Sequence, residues 1–285
     1  MDWDRDLATW PLNHLSRRVA SPPHRWHIQE SGSGPVILLL HGAGASTHTW
    51  RHLFPRLESN NRVVAIDLPG QGFTRMGSPA RCGLTAMSAD IGTLCQTLDL
   101  RPALVVGHSA GGAIALDLAQ RLPDSPAVVT INAALGRFDG MAGWLFPLLA
   151  KLLAITPFTA VAFTAGGPNP ARARRLIEGT GSHIDADGLD LYARLISDPS
   201  HVDATLKMMS QWDIDPLLDR LSDITARCLL LTGSADTAVA PEVSARATSL
   251  IPAARNIDLA GLGHLAHEEA PDTVSDHILD WLRQD

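Results

Sequence analysis

The sequence predicts an α/β protein with a doubly wound, mostly parallel sheet and an inserted helical cap. Short continuous apolar runs, typical of strands covered on both faces, alternate with helical patterns in the first and last parts of the chain. This alternation stops after residue 131 and resumes near residue 216, and the stretch between carries helical segments without a convincing strand. We therefore expect a core made of residues 1–134 and 216–285, with a helical cap at 135–215.

The expected elements follow from these patterns in chain order. Residues 10–23 form a polar, proline-containing lead. Strands are expected at 25–29, 36–40, 63–66, 103–106, 128–131, 228–231 and 255–259. Helices are expected from apolar spacings or from good helix formers, at 84–98, 113–122, 241–251 and 273–282. In such a fold, ligand sites lie at the carboxyl ends of the strands.

Composition excludes several classes of function. The chain has 285 residues, of which 45% are hydrophobic, and a formal net charge of −7, with no run of Lys or Arg longer than two. We therefore expect no nucleic-acid partner. No phosphate loop, H-E-x-x-H motif or spaced Cys/His set is found, so neither a metal nor a cofactor is expected.

Cysteine usage and the first residues predict a cytoplasmic protein. Cys82, Cys95 and Cys228 are odd in number, far apart and without a C-x-x-C pair, which argues against a disulfide framework. The amino terminus is acidic where a secretory signal needs positive charge followed by an apolar run.

The motif G-H-S-A-G at 107–111 predicts a nucleophile. It follows the apolar run at 103–106 and precedes a helical pattern, which is the strand–turn–helix context that gives G-x-S-x-G its meaning. Glycines at 107 and 111 would avoid collisions with neighbouring backbone, and the helix amino end would favour developing negative charge near Ser109. A plain tight turn or a phosphate loop is the alternative.

Twelve histidines compete to be the base for this serine. His264 is predicted to be the base because it follows a strand-like segment and lies in the turn G-L-G-H at 261–264. His267 is the nearest rival and is expected to be a helix-start or surface residue. Asp236 is predicted to orient His264, since it follows the run at 228–231; a helix cap is its alternative role.

An oxyanion hole needs backbone N–H donors near the nucleophile. One is expected from Ala110. The other is expected from the small-residue loop H-G-A-G-A-S at 41–46, with Ala43 as the preferred donor and Gly44 as the second choice. The alternative interpretation of this loop is an ordinary glycine-rich turn without a catalytic role.

The substrate pocket is expected to be apolar and roofed by the cap. The segment 141–163 is rich in apolar residues but contains Lys151, Pro147 and Pro157, so it is not expected to span a membrane and predicts at most a weak membrane-surface contact. Cap residues are expected to form the cap core first and a substrate wall second. The residues expected to line the pocket are His41, Gly42, Gly44, His108, Trp144, Met208 and Trp212.

Five landmarks together resemble the α/β-hydrolase superfamily with a helical cap. They are H-G at 41–42, D-L-P-G-Q-G at 67–72, G-H-S-A-G at 107–111, Asp236 and His264. The resemblance implies the α/β-hydrolase fold and a serine hydrolase that cleaves an ester through an acyl-enzyme. Carbon–carbon hydrolases and cofactor-free haloperoxidases share this residue set and remain alternatives.

Longer stretches at 31–35, 41–50, 67–74 and 261–269 are similar to the magnesium-chelatase accessory proteins of bacteriochlorophyll synthesis. This resemblance implies a cytoplasmic protein associated with tetrapyrrole metabolism, with magnesium chelatase or a tetrapyrrole as a partner. It does not imply chelatase chemistry, because an ATP-driven motor needs a phosphate loop. A non-catalytic accessory protein that binds a porphyrin or the chelatase is the alternative from another class.

Overall fold

The computed structural model describes residues 1–136 and 164–284. Its strands are β1 (Ser16–Ser21), β2 (His24–Ser31), β3 (Val36–Leu40), β4 (Arg62–Ile66), β5 (Pro102–His108), β6 (Ala127–Ile131), β7 (Cys228–Gly233) and β8 (Ala254–Leu259). They form one sheet in the order β1-β2-β4-β3-β5-β6-β7-β8. The pairs β1–β2 and β2–β4 are antiparallel, and all neighbours from β4 to β8 are parallel. The predicted α/β class and mostly parallel sheet are confirmed.

The polar lead at 10–23, in which the sequence pattern indicates no strand, contains the edge strand β1 at residues 16–21. The sequence S-R-R-V-A-S has no apolar run, yet Val19 and Ser21 are buried while Arg17 and Arg18 are not. Antiparallel pairing with β2 supplies the hydrogen bonds of this strand. A charged, half-exposed strand of this kind suits a sheet edge.

The helices of the core are α1 (Trp3–Asp6), α2 (Phe54–Leu57), α3 (Leu84–Thr97), α4 (Ala110–Ala119), α9 (Pro241–Leu250), α10 (Ala266–Glu269) and α11 (Pro271–Arg283). Between them in sequence lie α5 (Pro170–Glu178), α6 (Ala186–Leu195), α7 (Pro199–Ser210) and α8 (Asp215–Leu218). Short 3-10 helices occur at Leu7–Thr9, Asn13–Leu15, Thr47–Trp50, Pro79–Arg81 and Leu221–Asp223. Helix α4 starts directly after Ser109, three residues before its predicted beginning at 113.

Side chains alternate between the two faces of the sheet and fill two apolar cores. In β3, Leu38 and Leu40 belong to the first core, whereas Ile37 and Leu39 belong to the second. Helices α3, α4 and α9 cover the first core, and α2 and α11 cover the second. Because both faces are covered, the ends of the strands are where a ligand can approach the sheet.

The described part of the predicted cap, residues 164–215, contains helices and no strand. Its apolar side chains form a third cluster that includes Ile177, Leu189 and Tyr192, together with Trp10 and Phe73 of the core. The segment 141–163, including Trp144, lies outside the described residues. Across 1–136 and 164–284, no helix is both long and apolar enough to cross a membrane.

Candidate active site

Ser109 is held in a strained turn between β5 and α4. Its φ of 52° and ψ of −117° are unusual for a residue with a side chain. The Ser109 N–H donates to the Ile131 carbonyl at 2.9 Å, and the Ser109 carbonyl accepts from Gly112 and from Ala134, each at 3.0 Å. These contacts fix the backbone on both sides, as strain at a reactive residue requires.

Two glycines make this turn possible. A Cβ at Gly107 would lie 2.1 Å from the Gly111 carbonyl oxygen, and a Cβ at Gly111 would lie 2.1 Å from the Leu40 carbonyl oxygen. Neither position therefore has room for a side chain. Gly42 makes a similar close approach, because a Cβ there would lie 3.0 Å from the Ser109 Cβ.

Asp236 and His264 form a hydrogen-bonded pair, as the sequence predicts. His264 Nδ1 lies 2.7 Å from Asp236 Oδ2. The other oxygen, Oδ1, accepts from the N–H groups of Ala238 at 2.7 Å and Val239 at 2.9 Å. With Nδ1–H directed to the carboxylate, Nε2 of a neutral His264 is the nitrogen left to act as a base.

The contact between Ser109 and His264 stays a prediction. In the described part of the chain, no hydrogen bond joins the Ser109 hydroxyl to an imidazole. The two residues are nevertheless near each other in the fold, because the ring centroids of His264 and His108, the residue before Ser109, are 4.7 Å apart. Nucleophile–base hydrogen bonds are often longer in a free enzyme than in a complex.

Asn132 was not predicted from the sequence. It joins the loop that carries Asp236 to the loop that carries His264. It follows β6, is 1% exposed and has a φ of 48°. Its Nδ2 donates to the carbonyls of Gly263 at 2.9 Å and His264 at 2.8 Å, while its Oδ1 accepts from the Gly233 N–H at 2.7 Å. A polar residue directly after a buried strand was the available signal.

His108 fixes the same backbone from the nucleophile side. Its Nε2 lies 2.9 Å from the His264 carbonyl oxygen, so this nitrogen carries the proton that it donates. Burial holds the pKa of His108 well below its ordinary value, which keeps the ring neutral. The structure therefore places His108 as a support for His264, while its Nδ1 has no partner in the described residues.

The two predicted oxyanion donors are available. Neither the Ala43 N–H nor the Ala110 N–H donates to another group in the described residues. Ala110 is the first residue of α4, where an N–H has no partner within its own helix. The second choice, Gly44, is already engaged, because its N–H donates to Gln71 Oε1 at 2.7 Å. The geometry thus favours Ala43 over Gly44.

The other predicted pocket residues have different surroundings. The buried His41 ring contacts backbone on both sides: Nδ1 donates to the Gly42 carbonyl at 2.7 Å, and Nε2 accepts from the Leu68 N–H at 2.9 Å. Met208 is 1% exposed, and its sulfur accepts from Gln71 Nε2 at 3.2 Å. Trp212 is partly buried against the first core. These contacts account for His41 and Met208 as packing residues.

His267 lies at the start of a helix, which is one of its two expected roles, and it is not a surface residue. It lies in α10 with no exposed area, and its Nε2 donates to Thr49 Oγ1 at 2.6 Å. Thr49 and Tyr192 both donate to Glu268 Oε1, at 2.6 and 2.8 Å. Arg51 pairs with the same buried carboxylate. This network binds cap helix α6 to the core beside the His264 loop and fixes the orientation of the buried His267 ring, whose Nδ1 has no partner in the described residues.

Buried histidines make the stability of the protein depend on pH. Burial lowers the pKa of six histidines and is the largest cause of the shift in each: His24, His41, His48, His108, His201 and His267. The lowered pKa is about 4 for His201 and about 3 for His267. An unfolded chain binds protons at these sites near pH 6.5, whereas the folded chain does not. Stability is therefore present above about pH 6.5 and is lost as pH falls towards the lower folded values.

We expect the urea midpoint to be lower at about pH 5 than at about pH 7.5, because each such group contributes at most about 1.4 kcal/mol per pH unit, and only between its folded pKa and its unfolded pKa of about 6.5. Urea unfolding followed by tryptophan fluorescence measures this. His267→Gln should reduce the slope against pH, whereas His14→Gln, at an exposed position, should not. Equal midpoints at both pH values would contradict the expectation.

Comparisons with known proteins identify the family to which the chain belongs. Residues 35–271 match the alpha/beta hydrolase fold family. The chain is 46% identical over 277 residues to the magnesium-chelatase 30 kDa subunit of Rhodobacter capsulatus, covering 96% of this chain and 97% of that protein. It is 25% identical to the 2-(acetamidomethylene)succinate hydrolase of Mesorhizobium japonicum, covering 99% of each. An alpha/beta hydrolase fold protein from Burkholderia ambifaria has a TM-score of 0.75 at 23% identity, covering 93% of this chain and 97% of that one. The chain therefore belongs to the α/β-hydrolase fold family.

Proposed function

We propose that this protein is a serine hydrolase that cleaves an ester through an acyl-enzyme. The observation that carries the proposal is the Asp236–His264 pair, 2.7 Å apart, beside a serine in a strained strand–helix turn. Ser109 Oγ attacks the substrate carbonyl while His264 Nε2 takes the hydroxyl proton. That proton then passes to the leaving alcohol, and His264 activates water to release the acid.

In this mechanism the oxyanion is bound by the N–H groups of Ala110 and Ala43. Both donors are unengaged in the described residues, so they need no rearrangement when charge develops on the carbonyl oxygen. Removing one such donor in other hydrolases costs about 2.7–4 kcal/mol of transition-state stabilisation. The Asp236 carboxylate accepts from Nδ1–H and stabilises the imidazolium that His264 becomes.

Similarity to a protein named as a magnesium-chelatase subunit supports a role near that enzyme. The identity of 46% extends over 96% of this chain. We propose an apolar ester substrate connected with tetrapyrrole synthesis, magnesium chelatase as the partner, and a cytoplasmic location. Carbon–carbon bond hydrolysis and a non-catalytic accessory role are the outcomes against which the proposal is tested.

Labelling with a fluorophosphonate tests the proposal. The reagent reacts with activated serines, so we expect a single adduct that peptide mass analysis maps to Ser109. Heat-unfolded protein is the control for non-specific reaction. Absence of an adduct on the folded protein would reject the hydrolase proposal and favour the accessory role. Products formed from activated esters and from vinylogous diketones then distinguish ester from carbon–carbon cleavage.

Asn132→Ala is expected to lower kcat for an activated ester by about 10- to 100-fold, because the acid and base loops lose their shared amide. It also leaves the Gly233 N–H buried without its acceptor, at about 1–3 kcal/mol of stability. Steady-state kinetics and urea unfolding measure the two effects. Asn256→Ala is the control, since the side-chain amide of Asn256 hydrogen-bonds to the side chains of Thr232 and Asp258 rather than to the Asp236 or His264 loops. A fall in stability with unchanged kcat would contradict the positioning role.

A further inference from the structure

The loop that carries Ala43 is a tight turn. The Ala45 N–H donates to the Gly42 carbonyl at 3.2 Å. Gly44 has a φ of 78°, in the left-handed region, as a type II turn requires at its third residue. The conformation of Gly44 thus determines the direction of the peptide that follows Ala43.

Both polar groups of Gly44 are held by side chains from outside this turn. Its N–H donates to Gln71 Oε1 at 2.7 Å, and its carbonyl accepts from His201 Nε2 at 3.0 Å. Gln71 lies in the loop after β4, and His201 lies in cap helix α7. Both side chains are buried, with Gln71 at 0% and His201 at 1% exposure.

The His201 ring has one possible tautomer in this setting. Its Nδ1 accepts from the Gly72 N–H at 3.0 Å, so Nε2 carries the proton given to Gly44. Burial lowers the pKa of His201 to about 4, so the ring is neutral near pH 7. One side chain of the cap therefore connects two core loops through opposite edges of its ring.

Helix α7 packs closely on both of these loops. A Cβ at Gly70 would lie 2.6 Å from the Ala204 Cβ, and a Cβ at Gly44 would lie 3.5 Å from Thr205 Cγ2. Gln71 also reaches the cap, since its Nε2 donates to the Met208 sulfur at 3.2 Å. The turn, the loop after β4 and the cap helix thus form one hydrogen-bonded unit.

We propose that His201 and Gln71 are positioning residues for the oxyanion hole, which fix the Gly44 peptide so that the Ala43 N–H stays directed at the reacting carbonyl. This inference rests on the proposed serine-hydrolase function. The proposal gives the cap a role in catalysis besides forming a pocket. Helix α7 supplies His201, whose hydrogen bond to the Gly44 carbonyl fixes the turn that carries the oxyanion donor Ala43. Neither residue touches the substrate in this proposal.

Two substitutions of His201 separate its two hydrogen bonds. In His201→Asn, the side-chain oxygen can replace Nδ1 and accept from Gly72, but the side chain is too short to reach Gly44. In His201→Gln, the side-chain nitrogen can replace Nε2 and donate to Gly44, while the acceptor for Gly72 is lost. Each variant loses one hydrogen bond of a buried ring, so similar losses of thermal stability are expected.

We expect kcat for an activated ester, and the rate of Ser109 labelling, to fall by about 10- to 100-fold in His201→Asn and by less than about threefold in His201→Gln. The value of KM should change by less than about twofold in both, because ground-state binding is untouched. Gln71→Leu removes the acceptor for the Gly44 N–H and should behave like His201→Asn. Equal losses of kcat in the two His201 variants would overturn the proposal.

Hydrogen exchange at the Gly44 amide tests, without using activity, whether His201 and Gln71 fix the Gly44 peptide. We expect exchange at least about tenfold faster in His201→Asn than in His201→Gln, since only the former releases the turn from the cap. Equal exchange rates of the Gly44 amide in the two variants would overturn the proposed positioning role of His201, even if the enzyme is active. A wild-type protein that fails to label would reject the serine-hydrolase function, which the exchange result does not depend on.

Discussion

Replacing Ser109 with alanine is expected to lower kcat for a small activated ester by at least about 10⁴-fold, with little change in KM. The hydroxyl is the only atom of the turn that can form the acyl-enzyme, whereas the oxyanion donors belong to the backbone and remain. Ala is also no harder to hold at a φ of 52° than Ser, since both carry a Cβ. Initial rates over a range of ester concentrations measure the effect.

The control for Ser109→Ala is Ser222→Ala, at an exposed position in a 3-10 helix of the core, which should leave kcat unchanged. Circular dichroism and urea unfolding should show both variants folded. If Ser109→Ala kept more than about a tenth of the wild-type rate, the ester cleavage would not proceed through this serine, whose loss costs far more in a serine hydrolase.

His264→Ala is expected to lower kcat about as much as Ser109→Ala does, because the serine and its base act as one unit. His267→Gln should keep most of the activity. Its ring is fully buried and held by the hydrogen bond from Nε2 to Thr49 at 2.6 Å, and a glutamine nitrogen can preserve that bond. The comparison uses Gln rather than Ala at 267 because a cavity in this buried network would confuse a folding defect with a chemical one.

The dependence of kcat/KM on pH provides the second part of this test. The wild type should lose activity on the acid side as the base becomes protonated. His267→Gln should show the same acid limb, whereas the residual activity of His264→Ala should not. Equal losses of kcat in His264→Ala and His267→Gln would show that the base is assigned to the wrong histidine.

The nucleophile turn could be predicted because its requirements are local. Gly107 is needed by the Gly111 carbonyl only four residues away, and the run at 103–106 marks the strand that leads into the turn, although Gly111 is also needed by the Leu40 carbonyl of the neighbouring strand. The strands of the parallel sheet could also be predicted, because a strand that is buried on both faces needs a continuous run of apolar residues. β1 was missed because an edge strand carries no such run.

The partners of the supporting residues could not be predicted from the sequence. Asn132 contacts His264 across 132 residues, and His201 contacts Gly44 across 157 residues. Nothing in the local composition around either residue marks these partners. For His267, the position at a helix start could be predicted from nearby residues. Its burial could not, because it depends on a contact with Thr49, 218 residues away.

The sequence alone was enough to predict the fold class and to name Ser109, Asp236 and His264 as candidates, because strand periodicity and turn chemistry are short-range properties, and the structure then places Asp236 and His264 in contact. Only the tertiary structure decided that Ala43 rather than Gly44 is the available donor, and that His108, Asn132 and His201 support the loops around the site. The physical reason is that a buried polar group must find a partner, and which partner it meets depends on how the sheet and cap bring distant loops together.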